Sequence, residues 1–107
     1  MDHLETFTEK VIAIVVQIPI GKVMTFGQIA SLAGSPRGAR QVVRILHSMS
    51  KKYKLPWHRV VNAKGEISLK DEELFNTQKI ALENEGIQFI DDSVNLAVYR
   101  YDPNLNL

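Results

Sequence analysis

Near the start of the chain, apolar residues recur every three or four positions, at Leu4, Phe7, Val11, Ile14, Val15 and Ile18. This spacing predicts an amphipathic helix that ends before Pro19, whose ring cannot continue it. Pro19 to Val23, with Gly21, reads as a turn. Thr25-Phe26-Gly27-Gln28 then has capping-box form: the Thr25 hydroxyl accepts from the Gln28 amide while the Gln28 side chain reaches back. A short helix carrying Ile29, Ala30, Leu32 and Ala33 should follow and stop at Gly34, where a left-handed residue costs least. Ser35-Pro36 offers an N-cap and a first-turn proline for another helix running to about Ser48. Two short helices joined by a tight glycine turn form a helix-turn-helix, whose second helix usually contacts nucleic acid.

The second helix has two distinct sides. Arg37, Arg40, Arg44, His47 and Lys51 fall on one basic stripe, and Ala39, Val42, Val43, Leu46 and Met49 supply the side expected to be buried. Gly38 and Ala39 would let a partner approach the backbone, or else satisfy a packing need. Beyond the polar Lys51-Lys52-Tyr53-Lys54 connection, His58 to Val61 and Glu66 to Leu69 read as strands around Asn62-Ala63-Lys64-Gly65, a small hairpin like the wing of a winged helix. Asp71 to Glu85 predicts an acid-rich helix with Leu74, Phe75, Gln78, Ala81 and Leu82 inward, ending at Gly86. From Ile87 the pattern fades, although Val94, Leu96 and Val98 alternate with polar or small positions as in an edge strand. The expected architecture is a mainly helical α+β fold, winged-helix-like, with a helix-turn-helix and a small β-hairpin. At 107 residues it should form a single domain over 1–107.

Charge distribution sharpens this picture. The formal net charge is only +1, but the segment from Lys10 to Gly65 holds 10 of the 13 lysines and arginines and none of the 12 carboxylates. One half is therefore basic and the other acidic, which suits polyanion binding by the basic half; the alternative is a solvated basic face. With 45% hydrophobic and 23% charged residues, the chain should pack a core. It contains no cysteine, which excludes disulfides, thiolate metal sites and a thiol nucleophile. No metal and no cofactor is expected. Asp2 and Glu5 stand where a signal peptide would be positively charged, and the first apolar stretch is broken well short of the roughly 18 residues a membrane span needs. The expected location is the cytoplasm, at the nucleoid in a bacterium, for a monomer without membrane contact.

The one tryptophan lies in Leu55-Pro56-Trp57-His58-Arg59-Val60-Val61, directly before a predicted strand. Together with Pro19-Ile20-Gly21-Lys22-Val23-Met24-Thr25-Phe26-Gly27-Gln28-Ile29-Ala30 and Gly38-Ala39-Arg40-Gln41-Val42, this segment resembles the C-terminal domain of O6-alkylguanine-DNA alkyltransferases, from about Phe7 to Gly86. Those enzymes carry Pro-Cys-His-Arg-Val, and the cysteine accepts the alkyl group. Trp57 in its place is similar to the alkyltransferase-like proteins, which bind the damaged base without repairing it and hand it to nucleotide excision repair. An indole offers no thiolate and no free lone pair for alkyl transfer.

The resemblance implies duplex DNA containing O6-alkylguanine as partner, a recognition helix in the minor groove and rotation of the damaged nucleotide into a pocket. It places Thr25, Phe26, Arg37, Gly38, Ala39, Arg40, Gln41 and Arg44 at the DNA. Arg40 matches the arginine finger that fills the vacated space in the stack, the alternative being one more phosphate contact. Phe26 falls where most members have tyrosine. Phe26, Trp57, His58, Val60 and Lys70 are implied to form the lesion pocket, with Lys70 replacing an arginine or otherwise solvated. His58 and Glu85 match a pair that activates the thiol in the enzymes; without a thiol they become scaffold. Asn62 opens the hairpin turn and is read as structural. The main rival is a winged-helix transcription regulator of undamaged DNA, which has no need of the Pro56-Trp57-His58-Arg59 motif. A base hydrolase or nuclease using His58 and Glu85 would need a nucleophile or metal cluster that the sequence does not supply.

Overall fold

The computed structural model describes residues 6–103. Helix α1 spans Phe7–Val15, strand β1 Met24–Thr25, α2 Phe26–Leu32 and α3 Ala39–Tyr53. A 3-10 turn at Trp57–Arg59 leads into β2, Val60–Val61; α4 is Glu72–Asn84, β3 Phe89–Ile90, β4 Ser93–Val94 and α5 Leu96–Tyr99. The fold is thus mainly helical α+β, as expected. Leu4 lies outside the described residues. No helix among the described residues is long and apolar enough to cross a membrane.

Local chemistry explains most helix ends. Thr6 caps α1 in a reciprocal box with Glu9, and Thr25 caps α2 with Gln28 in the same way. Gly34, at φ +95°, turns the chain out of α2. Ser35-Pro36, however, does not open α3. The Ser35 amide donates to the Ala30 carbonyl and the Ser35 carbonyl accepts from Gly38 at 2.8 Å, so both residues belong to the turn and the helix starts at Ala39. Nor does α3 stop near Ser48: it runs on to Tyr53, with Lys51 and Lys52 in a last turn where cations complement the helix dipole. Its buried side is Val42, Ile45 and Leu46, while Val43, expected inward, is 43% exposed.

The predicted hairpin over residues 58–69 does not form. Val60 and Val61 pair in parallel with Met24 and Thr25, so β2 has a partner far away in sequence. His58 and Arg59 lie in the 3-10 turn, and Glu66 bridges to Ser93. The Asn62 to Gly65 turn itself is present, with the Asn62 side-chain oxygen accepting from the amides of Lys64 and Glu66, both at 2.9 Å. The antiparallel hairpin lies later, where β3 and β4 meet around Asp91 and Asp92, both at positive φ. The edge strand expected over Val94 to Val98 is replaced from Leu96 by α5, which Asn95 caps.

Two apolar clusters hold these pieces together. The larger, with Val11, Val15, Ile29, Val42, Leu46 and Val60 among its members, packs α1, α2 and α3 around β1 and β2. The smaller joins Val23, Val61, Leu82, Ile87 and Val94 under the hairpin. Because β2 gives Val60 to the larger cluster and Val61 to the smaller, while Met24 of β1 and the preceding Val23 divide in the same way, the pair fixes the mouth of α2 and the Trp57 turn side by side.

Candidate nucleic-acid interface and base pocket

Along α3 the side chains sort by the helical period. Its apolar side is buried in the main cluster, whereas Arg40, Gln41, Arg44, His47 and Lys51 are exposed, with Arg37 exposed in the preceding turn. No carboxylate occurs on α2, α3 or the turn between them. From Arg40 to Lys51 the stripe extends roughly 17 Å at the helical rise, the length of several phosphates along a groove. Two other expected interface residues are used internally. The Thr25 hydroxyl accepts from the Gln28 amide at 3.0 Å and the residue is buried. Gly38 is buried too, and a Cβ there would press on the Phe7 ring and Ser35, so the absent side chain answers the packing need.

Beside the C-terminal half of α3 opens a cavity of about 550 Å³. Phe26 at the start of α2, Val43 and Leu46 of α3, and Leu55, Trp57 and Val60 form much of its wall. Leu69 and Leu74 close the far side, and His47, Ser50, Lys51, Lys54 and Ser68 supply polar lining. The Phe26, Trp57 and Val60 assignments therefore converge on one space. His58 and Lys70 do not line it: Lys70 is exposed beyond Leu69, and His58 turns to Glu85. Leu74 was expected to pack inward, but is 47% exposed at the cavity. Val43 and Leu74 escaped sequence reading because an apolar residue on an amphipathic helix looks the same whether it faces the core or a pocket.

The turn presenting Trp57 is tied down from both sides. Gln78, buried on α4, donates its side-chain amide to the carbonyls of His58 and Val60, each at 3.0 Å. Across from it, Glu85 accepts from Arg59 Nε at 3.0 Å and Nη2 at 2.8 Å, and from the Gly21 amide at 3.0 Å, while His58 Nε2 lies 2.7 Å away. Arg59 Nη1 completes the knot on the Ile18 carbonyl at 2.9 Å. Burial pushes the Glu85 carboxyl upward, but the Arg59, Gly21 and His58 hydrogen bonds prevail and hold it at about 2, against an ordinary 4.5. Arg59, counted by sequence within the open basic half, is therefore a mostly buried ion-pair partner. The His58 ring stands edge-on to Trp57, with centroids 6.4 Å apart, and so links the network to the indole.

The basic stripe on α3 thus meets an aromatic cavity through His47 and Lys51, and comparison with known proteins identifies the family. The family described as "6-O-methylguanine DNA methyltransferase, DNA binding domain" matches residues 6–87. The chain belongs to this family. It is 42% identical over 101 residues to the DNA base-flipping protein of Vibrio parahaemolyticus, covering 94% of this chain and 100% of that one. Alkyltransferase-like protein 1 of Schizosaccharomyces pombe is 38% identical over 107 residues, covering 94% and 99%. The crystal structure of that yeast protein with damaged DNA containing O6-carboxymethylguanine matches the fold with a TM-score of 0.81, over 91% of this chain and 95% of that one. The match to the family spans all the motifs on which the resemblance rests.

Proposed function

We propose that the protein recognises O6-alkylguanine in duplex DNA by rotating the damaged nucleotide into the cavity bounded by Trp57, without transferring the alkyl group. The observation that carries this reading is the lining of the cavity: His47 and Lys51 of the basic stripe on α3 and the Trp57 indole share its wall, and the resemblance places the enzymes' acceptor cysteine at the position of Trp57. The relatives' names, a base-flipping protein and an alkyltransferase-like protein, support it, as does a similar protein crystallised on DNA with an O6-carboxymethylguanine.

Each part follows from the chemistry. Arg37, Arg40 and Arg44 engage phosphates, and Arg40 also enters the stack, where a planar guanidinium both stacks and donates to the orphaned base. Phe26 and Trp57 offer apolar area to the alkyl group and aromatic faces to the purine, each stack worth about 1 to 3 kcal/mol. With no cysteine in the chain and His58 held by Glu85 at 2.7 Å, nothing at the turn serves as alkyl acceptor. The bound lesion then awaits a damage-recognition protein of nucleotide excision repair, with this protein acting as a cytoplasmic or nucleoid monomer. Titration of a duplex with one O6-methylguanine against its unmodified twin, followed by Trp57 fluorescence, tests the reading. Tighter binding of the damaged duplex is expected, and equal affinities overturn it. Mass spectrometry after incubation should find neither a methylated protein nor a repaired or excised base.

A further inference from the structure

A glutamine on the inner face of a helix is costly unless its carboxamide is bonded, so its partners show why it is there. Gln78 is 3% exposed and stands one turn before Leu82, which is fully buried and anchors α4. Its Nε2 uses both hydrogens on the Trp57 turn, one on the His58 carbonyl and one on that of Val60, each at 3.0 Å. Carbonyls two residues apart are what the edge of a β-strand offers to a neighbouring strand. Among the described residues β2 pairs with β1 alone, so one carboxamide supplies the two donors that another strand would supply.

Within the turn, the Trp57 amide donates to the Leu55 carbonyl at 2.8 Å, the Arg59 amide to that of Pro56 at 3.0 Å, and the Val60 amide to that of Trp57 itself. These short-range bonds shape the turn but do not place it in the molecule. Placement comes from β1, which holds Val60 and Val61, from Glu85, which holds the His58 and Arg59 side chains, and from Gln78. Of these, Gln78 grips the backbone on the cavity side, where it shares the wall with Trp57.

We infer that Gln78 is a positioning residue for base recognition: it sets the indole before a base arrives, and it serves the preference for damaged DNA instead of the affinity for DNA. This rests on the lesion-binding reading above and adds to it the residue that prepares the cavity. Both bonds of the Gln78 side chain go to the turn and neither to α3, which carries the basic stripe. Without them the two carbonyls lose their donors and the turn gains alternative positions. Part of the stacking energy then goes into ordering the indole.

Trp57 is the only tryptophan in the chain, so its emission reports this site alone. In Gln78→Met, which keeps the length of the side chain but has no donor, acrylamide quenching of the free protein should rise about twofold. Affinity for an unmodified duplex should stay within about twofold of wild type. The preference for its O6-methylguanine twin should fall about fivefold, the lower end of what one base stack is worth. Gln78→Glu separates hydrogen bonding from packing. At about pH 8 the introduced carboxylate faces two carbonyl oxygens with no hydrogen to give, and the preference should be as low as in the methionine variant. At about pH 5.5 burial beside those oxygens favours the protonated acid, which donates one bond, and the preference should recover about threefold relative to wild type at the same pH. A preference that survives in Gln78→Met, or an absent recovery in Gln78→Glu, overturns the positioning role and leaves the function above intact. Equal losses on both duplexes, or a variant that does not fold, make Gln78 a support of the whole fold and overturn the role too. A wild type that binds both twins alike removes the lesion reading and this inference with it.

Discussion

Replacing Glu85 with glutamine removes the one anion in the knot that joins the Trp57 turn to Gly21 and to Ile18 in the segment after α1. Glutamine keeps the volume and one acceptor oxygen, so the change isolates charge. The Glu85 side chain is 14% exposed and that of Arg59 15% exposed, which leaves the guanidinium poorly solvated once its partner is neutral. Two routes give the cost. Removing one partner of a buried pair typically costs about 3 to 5 kcal/mol. Independently, lowering the carboxyl from 4.5 to about 2 corresponds to about 3 kcal/mol at 1.36 kcal/mol per pH unit. Because the folded-state value is depressed, this stabilisation is fully present above about pH 4.5 and is lost as the pH falls towards 2. Urea unfolding of wild type and Glu85→Gln should therefore differ by about 3 kcal/mol at pH 7, with the gap narrowing below pH 4.5 and closing near pH 2. A gap that does not change across this range would refute the assignment to charge, and one below about 1 kcal/mol would refute the burial argument.

Trp57→Ala should leave affinity for undamaged duplex nearly unchanged and reduce the preference for alkylated guanine by about 1 to 3 kcal/mol, whereas Arg40→Ala should weaken damaged binding more than undamaged; parallel titrations at one salt concentration separate the two. If the stripe on α3 neutralises about five phosphates, the logarithmic salt slope of DNA binding should be about -4 to -5, and a flat response would remove the interface. Gly65→Ala should cost more than about 2 kcal/mol in urea unfolding, because the residue sits at φ +77° and a Cβ there runs into the Val94 carbonyl oxygen; wild-type stability in this variant would mean that the turn relaxes freely.

How much of this was legible in the sequence depended on the range of the signal. The Thr25 capping box, the Gly34 and Gly86 helix ends and the inward Gln78 and Leu82 all follow from neighbours within a few positions, and all stand in the structure. Ser35-Pro36 has the composition of a helix start, but the same residues suit a turn, and the bond from the Ser35 amide back to the Ala30 carbonyl selects the turn. The partner of Val60-Val61 lies 36 positions earlier at Met24-Thr25, a pairing that alternation along one segment does not reveal. The hairpin over Asp91-Asp92 went unseen because aspartate at two positive-φ positions is a weaker turn signal than Asn-Gly or Asp-Gly. At the pocket, Phe26, Trp57 and Val60 follow from the motif, whereas Ser50, Lys54 and Leu74 reach it only because α4 packs on the Trp57 turn, which brings the end of α3 and the start of α4 to one cavity. Arg59 shows the limit most clearly, since nothing local distinguishes a solvated arginine from one that closes an ion pair with a residue 26 positions away.

The segment around Tyr99 to Tyr101 sets a timetable for the nascent chain. The Val23 amide donates to the Tyr99 carbonyl at 2.9 Å, the Tyr101 amide donates back to Val23 at 2.7 Å, and the Gln28 side chain that caps α2 also holds the Tyr101 carbonyl. The entrance to the helix-turn-helix is thus completed by residues made more than 70 positions later. During synthesis, α1 to α3 can gather as a helical cluster, but β1 lacks its last neighbour until that segment leaves the ribosome. Such long closures slow folding. At synthesis rates of 5 to 20 residues per second the ribosome would need roughly 4 to 15 s to make that stretch, so competence to bind DNA should switch on late and abruptly instead of growing with chain length.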